Sequence, residues 1–206
     1  MRQSIPPITK NLIIINVLFY FATIVFKVKG IDLSVFLGAY YPESPNFKFW
    51  QILTHMFMHA SFPELTHILF NMFALWMFGS VVEYTFGPKK FLILYFLAGL
   101  GGFLLFNLTN YFQVEQLKEV IQGQGISIQE LYNYSRLNFQ GELYNLPENF
   151  RSTEQGIELI STYRTPMVGA SGAIYGLLLA FAVLYPDEKL MLIFFPVPIK
   201  AKYFIP

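Results

Sequence analysis

The chain has 206 residues, of which 54% are hydrophobic, 18% are aromatic and only 13% are charged. Soluble globular proteins carry about 25% charged residues, so this composition predicts an integral membrane protein. The net charge of +1 gives no reason to expect nucleic acid as a partner. The absence of cysteine excludes disulfides and thiolate catalysis.

Four apolar segments predict helices of roughly the 20 residues that a membrane span needs. They are Leu12–Val28, Leu65–Phe86, Phe91–Leu108 and Pro166–Tyr185. The first has no signal-peptide cleavage site behind it and is expected to stay as an anchor. A fifth helix is expected to begin at Ile199–Ile205, after a cytoplasmic loop. The predicted fold is therefore an all-α polytopic membrane bundle with four complete transmembrane helices and the start of a fifth.

Two connecting segments stand out from the apolar helices. Residues 31–60 are rich in aromatic side chains and are interrupted by Pro42 and Pro45, which suits a segment lying in the membrane interface. Residues 110–165 are polar and are predicted to form an extramembrane insertion, with a helical part around Val114–Gln122. So long a connection is usually functional or disordered.

The distribution of lysine and arginine predicts a cytoplasmic N-terminus. Each side of the membrane carries seven of these 14 residues, but on one side all seven lie in short segments. These seven are Arg2, Lys10, Lys89, Lys90, Lys189, Lys200 and Lys202. The second and fourth helices then both begin at the outer side. His67, near the start of the second, and Ser171, in the fourth, are therefore expected at similar depth.

Ser171 lies among small residues at the start of the fourth predicted helix: Gly169, Ala170, Gly172, Ala173 and Gly176. Small residues let neighbouring membrane helices approach closely. Ser171 itself has two interpretations. It is either a packing serine that hydrogen-bonds within its own helix, or a nucleophile, which requires a base and donors to an oxyanion.

His67 and Asn71 are four residues apart and therefore share one face of the second helix. Polar side chains inside a spanning helix are costly unless they face protein or water. The pair either holds helices together by hydrogen bonds or donates to an oxyanion formed at Ser171. Gly169 and Gly172 would let a substrate backbone approach that hydroxyl.

Taken together and in order, four motifs resemble those of the rhomboid intramembrane serine proteases. They are WQILTHMFMH at 50–59, HILFN at 67–71, Glu83, and GASGAIYG at 169–176. The resemblance covers the four predicted helices and the loop after the first. It implies that residues 1–206 form a rhomboid domain whose catalytic nucleophile is Ser171. It also implies that His67, Asn71 and the Ser171 amide form the oxyanion hole.

The resemblance assigns further roles around this site. Gly169 and Tyr175 would lie at the substrate-binding pocket, with Tyr175 under the catalytic imidazole. His55 and His59 would be structural and bond the interfacial loop to the bundle. Glu83 would be a structural anchor near the inner end of the second helix. Gly172 and Gly176 are expected to be packing positions in the bundle.

One expected component has no counterpart in the sequence. The family's general base is a histidine on a sixth transmembrane helix, whereas all three histidines here precede Ser171. The rhomboid domain is therefore expected to be incomplete at its C-terminus, and residues 1–206 alone are expected to be inactive. The resemblance implies transmembrane substrate proteins, the lipid bilayer as surroundings, and a bacterial plasma membrane. No cofactor is expected, and the oligomeric state is left open.

Other functions fit less well. His55 and His59 have helical spacing, but there is no HExxH motif and Glu64 is the single nearby carboxylate, so no metal site is expected. An α/β-hydrolase elbow would need glycine where Ala173 stands. A transporter would need paired carboxylates within its spans, and Glu83 stands alone. The alternative from another class is a catalytically inactive rhomboid-like protein that binds transmembrane helices.

Overall fold

A computed structural model describes residues 4–141, 153–192 and 195–205. Within these ranges the helices are α1 (Pro7–Val28), α2 (Leu33–Leu37), α3 (Gln51–Thr54), α4 (Thr66–Phe86), α5 (Pro88–Gly123), α6 (Ile128–Tyr134), α7 (Glu154–Arg164), α8 (Ser171–Leu184) and α9 (Ala201–Phe204). Strands β1 (Lys189–Leu192) and β2 (Phe195–Lys200) form an antiparallel pair.

The predicted all-α membrane bundle is confirmed. Helices α1, α4 and α5 are each long and apolar enough to cross a membrane. Helix α8 is apolar but has 14 residues, which is about 21 Å of helix against a hydrocarbon core of about 30 Å. The prediction that the fourth span begins at Pro166 is wrong, because residues 165–170 form a connection in which Met167 pairs with Ala39.

Glycine and alanine bring α8 close to α5. A Cβ added to Gly172 would lie 3.4 Å from the Cα of Gly102, and a Cβ added to Gly176 would lie 2.3 Å from the Cβ of Ala98. Contact at this distance leaves no room for larger side chains. Helix α8 buries Ile174, Leu177 and Phe181 in the main core, which it shares with α1, α4 and α5.

At the opposite end of the bundle, Glu83 joins the end of α4 to the start of α1. Its carboxylate accepts the backbone N–H groups of Ile8 at 2.9 Å and Thr9 at 2.6 Å. It also accepts the Thr9 hydroxyl at 2.8 Å. Pro6, which precedes α1, provides no capping side chain. Glu83 therefore supplies the N-terminal cap of a different helix.

The insertion begins as a continuation of α5 rather than as a separate segment. Helix α5 runs 36 residues, well past the predicted end at Leu108, and it contains the helical stretch predicted at Val114–Gln122. Its outer part packs with α6 and α7 around a second core. We call residues 110–141 and 153–165 the cap. The second core includes Tyr41, which belongs to the loop segment 29–65 between α1 and α4.

Hydrogen bonds tie the cap to this loop segment. The side-chain amide of Asn46 donates to the carbonyls of Ser135 at 2.8 Å and Tyr163 at 3.1 Å. Its oxygen accepts the N–H of Leu137 at 2.9 Å. Since Ser135 and Tyr163 lie at the ends of α6 and α7, Asn46 satisfies backbone groups that both helix ends leave open. The cap and the loop segment are therefore one packed unit.

The segment after α8 is a β-hairpin, where a loop was predicted. Lys189 pairs with Lys200, and Leu190 pairs with Ile199. The register of the pair shifts between Leu190 and Leu192. Helix α9 follows directly, in the region predicted to begin a fifth helix.

Candidate active site

Ser171 and His67 meet beside Gly169. Ser171 is the first residue of α8, and His67 is the second residue of α4. A Cβ added to Gly169 would lie 2.9 Å from the Nε2 atom of His67 and 3.7 Å from the Oγ atom of Ser171. The two side chains predicted to share one depth are thus within a few ångströms of a common point.

The hydrogen bond to the other ring nitrogen of His67 determines what this imidazole can do. The backbone N–H of Ala60 donates to Nδ1 at 3.1 Å. Because Nδ1 is an acceptor, the neutral ring carries its proton on Nε2, which faces the Gly169 and Ser171 region. His67 is therefore placed to donate a hydrogen bond near Ser171 rather than to remove its proton. No sequence pattern indicates the Ala60 contact, since any residue other than proline supplies a backbone N–H.

Asn71 lies one turn further along α4 and is 7% exposed. Its Nδ2 group donates to the carbonyl of His67 at 2.7 Å, which leaves the second N–H of the amide available. The backbone N–H of Ser171, at the first position of α8, has no acceptor within that helix. These three donors, from His67, Asn71 and Ser171, are of the kinds that stabilise an oxyanion.

Gly169 adopts a backbone conformation that favours glycine. Its φ angle is +119°, and its N–H donates to the carbonyl of His55 at 2.9 Å. Any side chain here would be strained, and its Cβ would stand against the His67 ring. The loop before Ser171 is thus held by the loop segment through two attachments, His55 to Gly169 and Ala39 to Met167.

The other two histidines are buried in the loop segment. His55 donates from Nδ1 to the carbonyl of Gln51 at 2.9 Å, so its ring bonds its own helical turn, and its backbone carbonyl holds Gly169. His59 packs against His67 with ring centroids 5.3 Å apart. The described residues give the His59 ring nitrogens no hydrogen-bond partner. They also bring no three metal-ligating side chains together.

His59 is expected to make the stability of the fold pH-dependent. Burial, together with the neighbouring His67, lowers the pKa of His59 from 6.5 to about 4. The unfolded chain binds this proton more readily, so the contribution is complete above about pH 6.5 and is lost as the pH falls toward 4. We expect the free energy of unfolding to drop by up to about 3 kcal/mol over that window.

Thermal unfolding in detergent at pH 7.0 and pH 4.5 measures this loss. The variant His59→Leu keeps a buried apolar side chain but removes the titrating group, so it should lose clearly less stability on acidification than the wild type. An equal loss in both proteins would show that His59 does not contribute.

A groove of about 910 Å³ opens beside Ser171, between α5 and α8. Ser171, Gly172, Tyr175 and Gly176 line it from α8. From α5 it is lined by Ala98, Gly101 and Gly102 together with Leu94 and Leu105. Ser171 is exposed here, and Tyr175, one turn further along α8, is 50% exposed.

The order of these elements along the chain agrees with a known family. A family model described as the Rhomboid domain matches residues 46–117 and 151–205, which include His55, His59, His67, Asn71 and Ser171. The chain belongs to the rhomboid family. Residues 118–150, which include only part of the cap, lie outside the matched ranges.

Relatives from three organisms show how far this similarity extends. Rhomboid protease GlpG of Haemophilus influenzae is 28% identical over 173 residues, covering 78% of this chain and 82% of GlpG. An uncharacterised mitochondrial rhomboid protein of Schizosaccharomyces pombe is 29% identical over 77% of this chain. Rhomboid-like protease 3 of Toxoplasma gondii is 35% identical over 33% of it. The chain spans 41% of the yeast protein and 25% of the Toxoplasma protein.

Proposed function

We propose that this rhomboid is an intramembrane serine endopeptidase with Ser171 as its nucleophile. The observation that carries the proposal is the convergence of Ser171 and the Nε2–H of His67 on Gly169. The Ser171 hydroxyl would attack a peptide carbonyl and pass its proton to a base. The N–H donors of His67, Asn71 and Ser171 would receive the resulting oxyanion. Loss of the amine gives an ester on Ser171, which water then hydrolyses.

The base would come from outside residues 1–206. His55 and His59 are buried in the loop segment, and His67 already accepts a hydrogen bond on Nδ1. Ser171 and Tyr175, in contrast, are both open to the groove between α5 and α8. We propose that a histidine carried by a further helix in this groove approaches Ser171, with Tyr175 beneath its ring. Residues 1–206 alone would then have negligible activity.

The substrate would be a transmembrane protein cleaved near the membrane face at which α8 begins. A helix hides its carbonyls in its own hydrogen bonds, so the substrate must unwind before Ser171 can reach one. Helix-breaking residues after the cleaved bond and a small residue at it would favour this. With the N-terminus in the cytoplasm, cleavage would occur near the outer face of a bacterial plasma membrane. Gly169 would leave space for the extended strand, whereas Gly172 packs against Gly102 of α5.

Covalent labelling distinguishes a protease from an inactive helix-binding protein. A fluorophosphonate reacts when an activated serine oxygen displaces fluoride from phosphorus. We expect a protein that also carries the proposed further helix to be labelled at Ser171, as located by mass spectrometry of the tryptic peptide. Ser161→Ala is the matched control, because Ser161 is an exposed serine of the cap, and it should be labelled as the wild type is. Absence of labelling at Ser171 would favour the inactive binding protein.

A further inference from the structure

A second cavity lies on the extramembrane side of the active-site loop. It has a volume of about 420 Å³ and lies where the cap, the loop segment and residues 165–166 meet. Its lining includes Asp32, Val35, Leu137, Ile160, Arg164 and Pro166. The cap contributes most of this wall. Leu137 lies outside the ranges that the family model matches, whereas Ile160 and Arg164 lie within its matched residues 151–205.

The cavity is close to the site of the proposed reaction. Pro166, in its wall, is five residues before Ser171, which limits the separation along the chain to about 17 Å. The loop between them is fixed to the loop segment at Met167 and Gly169. A substrate bound at Ser171 leaves the membrane on this side. Its extramembrane segment can therefore reach the cavity within about five residues.

Arg164 has donors that the described structure does not use. Its Nη2 group donates to the carbonyl of Tyr134, but its Nε atom is shielded from solvent and has no hydrogen-bond partner among the described residues. Burial lowers the pKa of its guanidinium. The described ion pairs involve lysines, and none includes Arg164.

Asp32, on another wall of the cavity, accepts hydrogen bonds from Ser34 at one of its two carboxylate oxygens. Its Oδ1 atom accepts both the N–H of Ser34 at 2.9 Å and the hydroxyl of Ser34 at 2.5 Å. Neither Asp32 nor Arg164 belongs to a described ion pair, but Arg164 also keeps a buried N–H that has no hydrogen-bond partner among the described residues. A carboxylate is the ligand that matches the planar set of donors of a guanidinium.

We propose that this cavity binds the extramembrane segment of a protein substrate through an acidic side chain that pairs with Arg164. An apolar neighbour of that side chain would pack on Val35 and Ile160. The proposal rests on the proposed protease function, because it is the cleavage site at Ser171 that brings such a segment here. A peptide fits better than a small anion, because the apolar side chains of Val35 and Ile160 line the cavity together with Arg164.

Two substrates that differ in one residue test this assignment. Each is a single-span protein with either Asp or Asn about five residues from the cleaved bond, on the extramembrane side. Binding to the Ser171→Ala protein in detergent is measured by fluorescence anisotropy, so that no cleavage is needed. We expect the Asp substrate to bind about tenfold more tightly than the Asn substrate.

Variants of the protein locate the effect. Arg164→Gln should remove the preference for Asp, whereas Arg136→Gln, which removes an exposed arginine of the same cap, should keep it. Arg164→Glu should instead prefer a substrate with Lys at that position, which a merely unfolded variant could not do. Melting temperatures of all three variants are compared with that of the wild type.

The outcomes separate this proposal from the proposed function. Equal binding of the Asp and Asn substrates by the wild type would overturn the cavity assignment even if the enzyme cleaves both. A preference that depends on Arg164 would support the cavity even if labelling of Ser171 failed. Free glutamate that displaces the Asp substrate at equal affinity would overturn the peptide as occupant, since it would show that the anion alone is recognised.

Discussion

Replacing Gly169 by alanine is expected to lower the proposed cleavage about a hundredfold to a thousandfold in a protein that also carries the proposed further helix. The new Cβ would stand 2.9 Å from Nε2 of His67 and 3.1 Å from Cε1, on a backbone with φ of +119°. Either the ring or the loop must move. Moving the ring withdraws one donor from the oxyanion, and loss of one such donor costs about 10²–10³ in rate. Moving the loop displaces Ser171 itself.

The measurement is the cleavage rate of a single-span test substrate in detergent or liposomes, with protein amounts matched by folded fraction. Gly123→Ala is the control, because Gly123 has a negative φ and open space around its Cβ position. It should cleave as the wild type does. Because the loss lies in the transition state, we expect kcat to fall more than KM rises. Unchanged kcat in Gly169→Ala would contradict the assignment of His67 as a donor.

The shared depth of His67 and Ser171 could be predicted because it depends on where two helices begin. Hydropathy locates apolar helices well, and alternation across the membrane decides which ends share a face. Both residues lie within the first turn of their helices, at the same end of the bundle. Small errors in helix boundaries do not change this result, so it could be predicted without coordinates.

Details that depend on tertiary contacts could not be predicted in this way. Residues 166–170 are apolar or small, so hydropathy extends the fourth helix through them, whereas pairing of Met167 with Ala39 keeps them out of the helix. The polar residues after Leu108 suggest the end of a span. However, Val114, Leu117 and Ile121 follow helical spacing and are buried against the cap, so α5 continues.

The second large effect is expected at the other end of the bundle, for Glu83→Leu. Glu83 is 3% exposed and accepts two N–H groups from the first turn of α1. Leucine is of similar size but accepts nothing. The N–H groups of Ile8 and Thr9 would then be left without acceptors, and the favourable charge at the start of α1 would be removed. We expect a loss of about 3 kcal/mol in the free energy of unfolding, since each unsatisfied group costs about 1–3 kcal/mol.

Three variants separate the contribution of the two backbone hydrogen bonds to Glu83 from that of the Thr9 hydroxyl. Thr9→Val removes only the side-chain bond at 2.8 Å and should cost about 1 kcal/mol. Glu83→Gln keeps one acceptor oxygen but turns two N–H donors toward the start of α1. Its loss in the free energy of unfolding should therefore lie between those of Thr9→Val and Glu83→Leu. Thermal unfolding in detergent measures all three. If Glu83→Leu melted no lower than Thr9→Val, the two backbone bonds would contribute nothing, and the two helices would be held by packing alone.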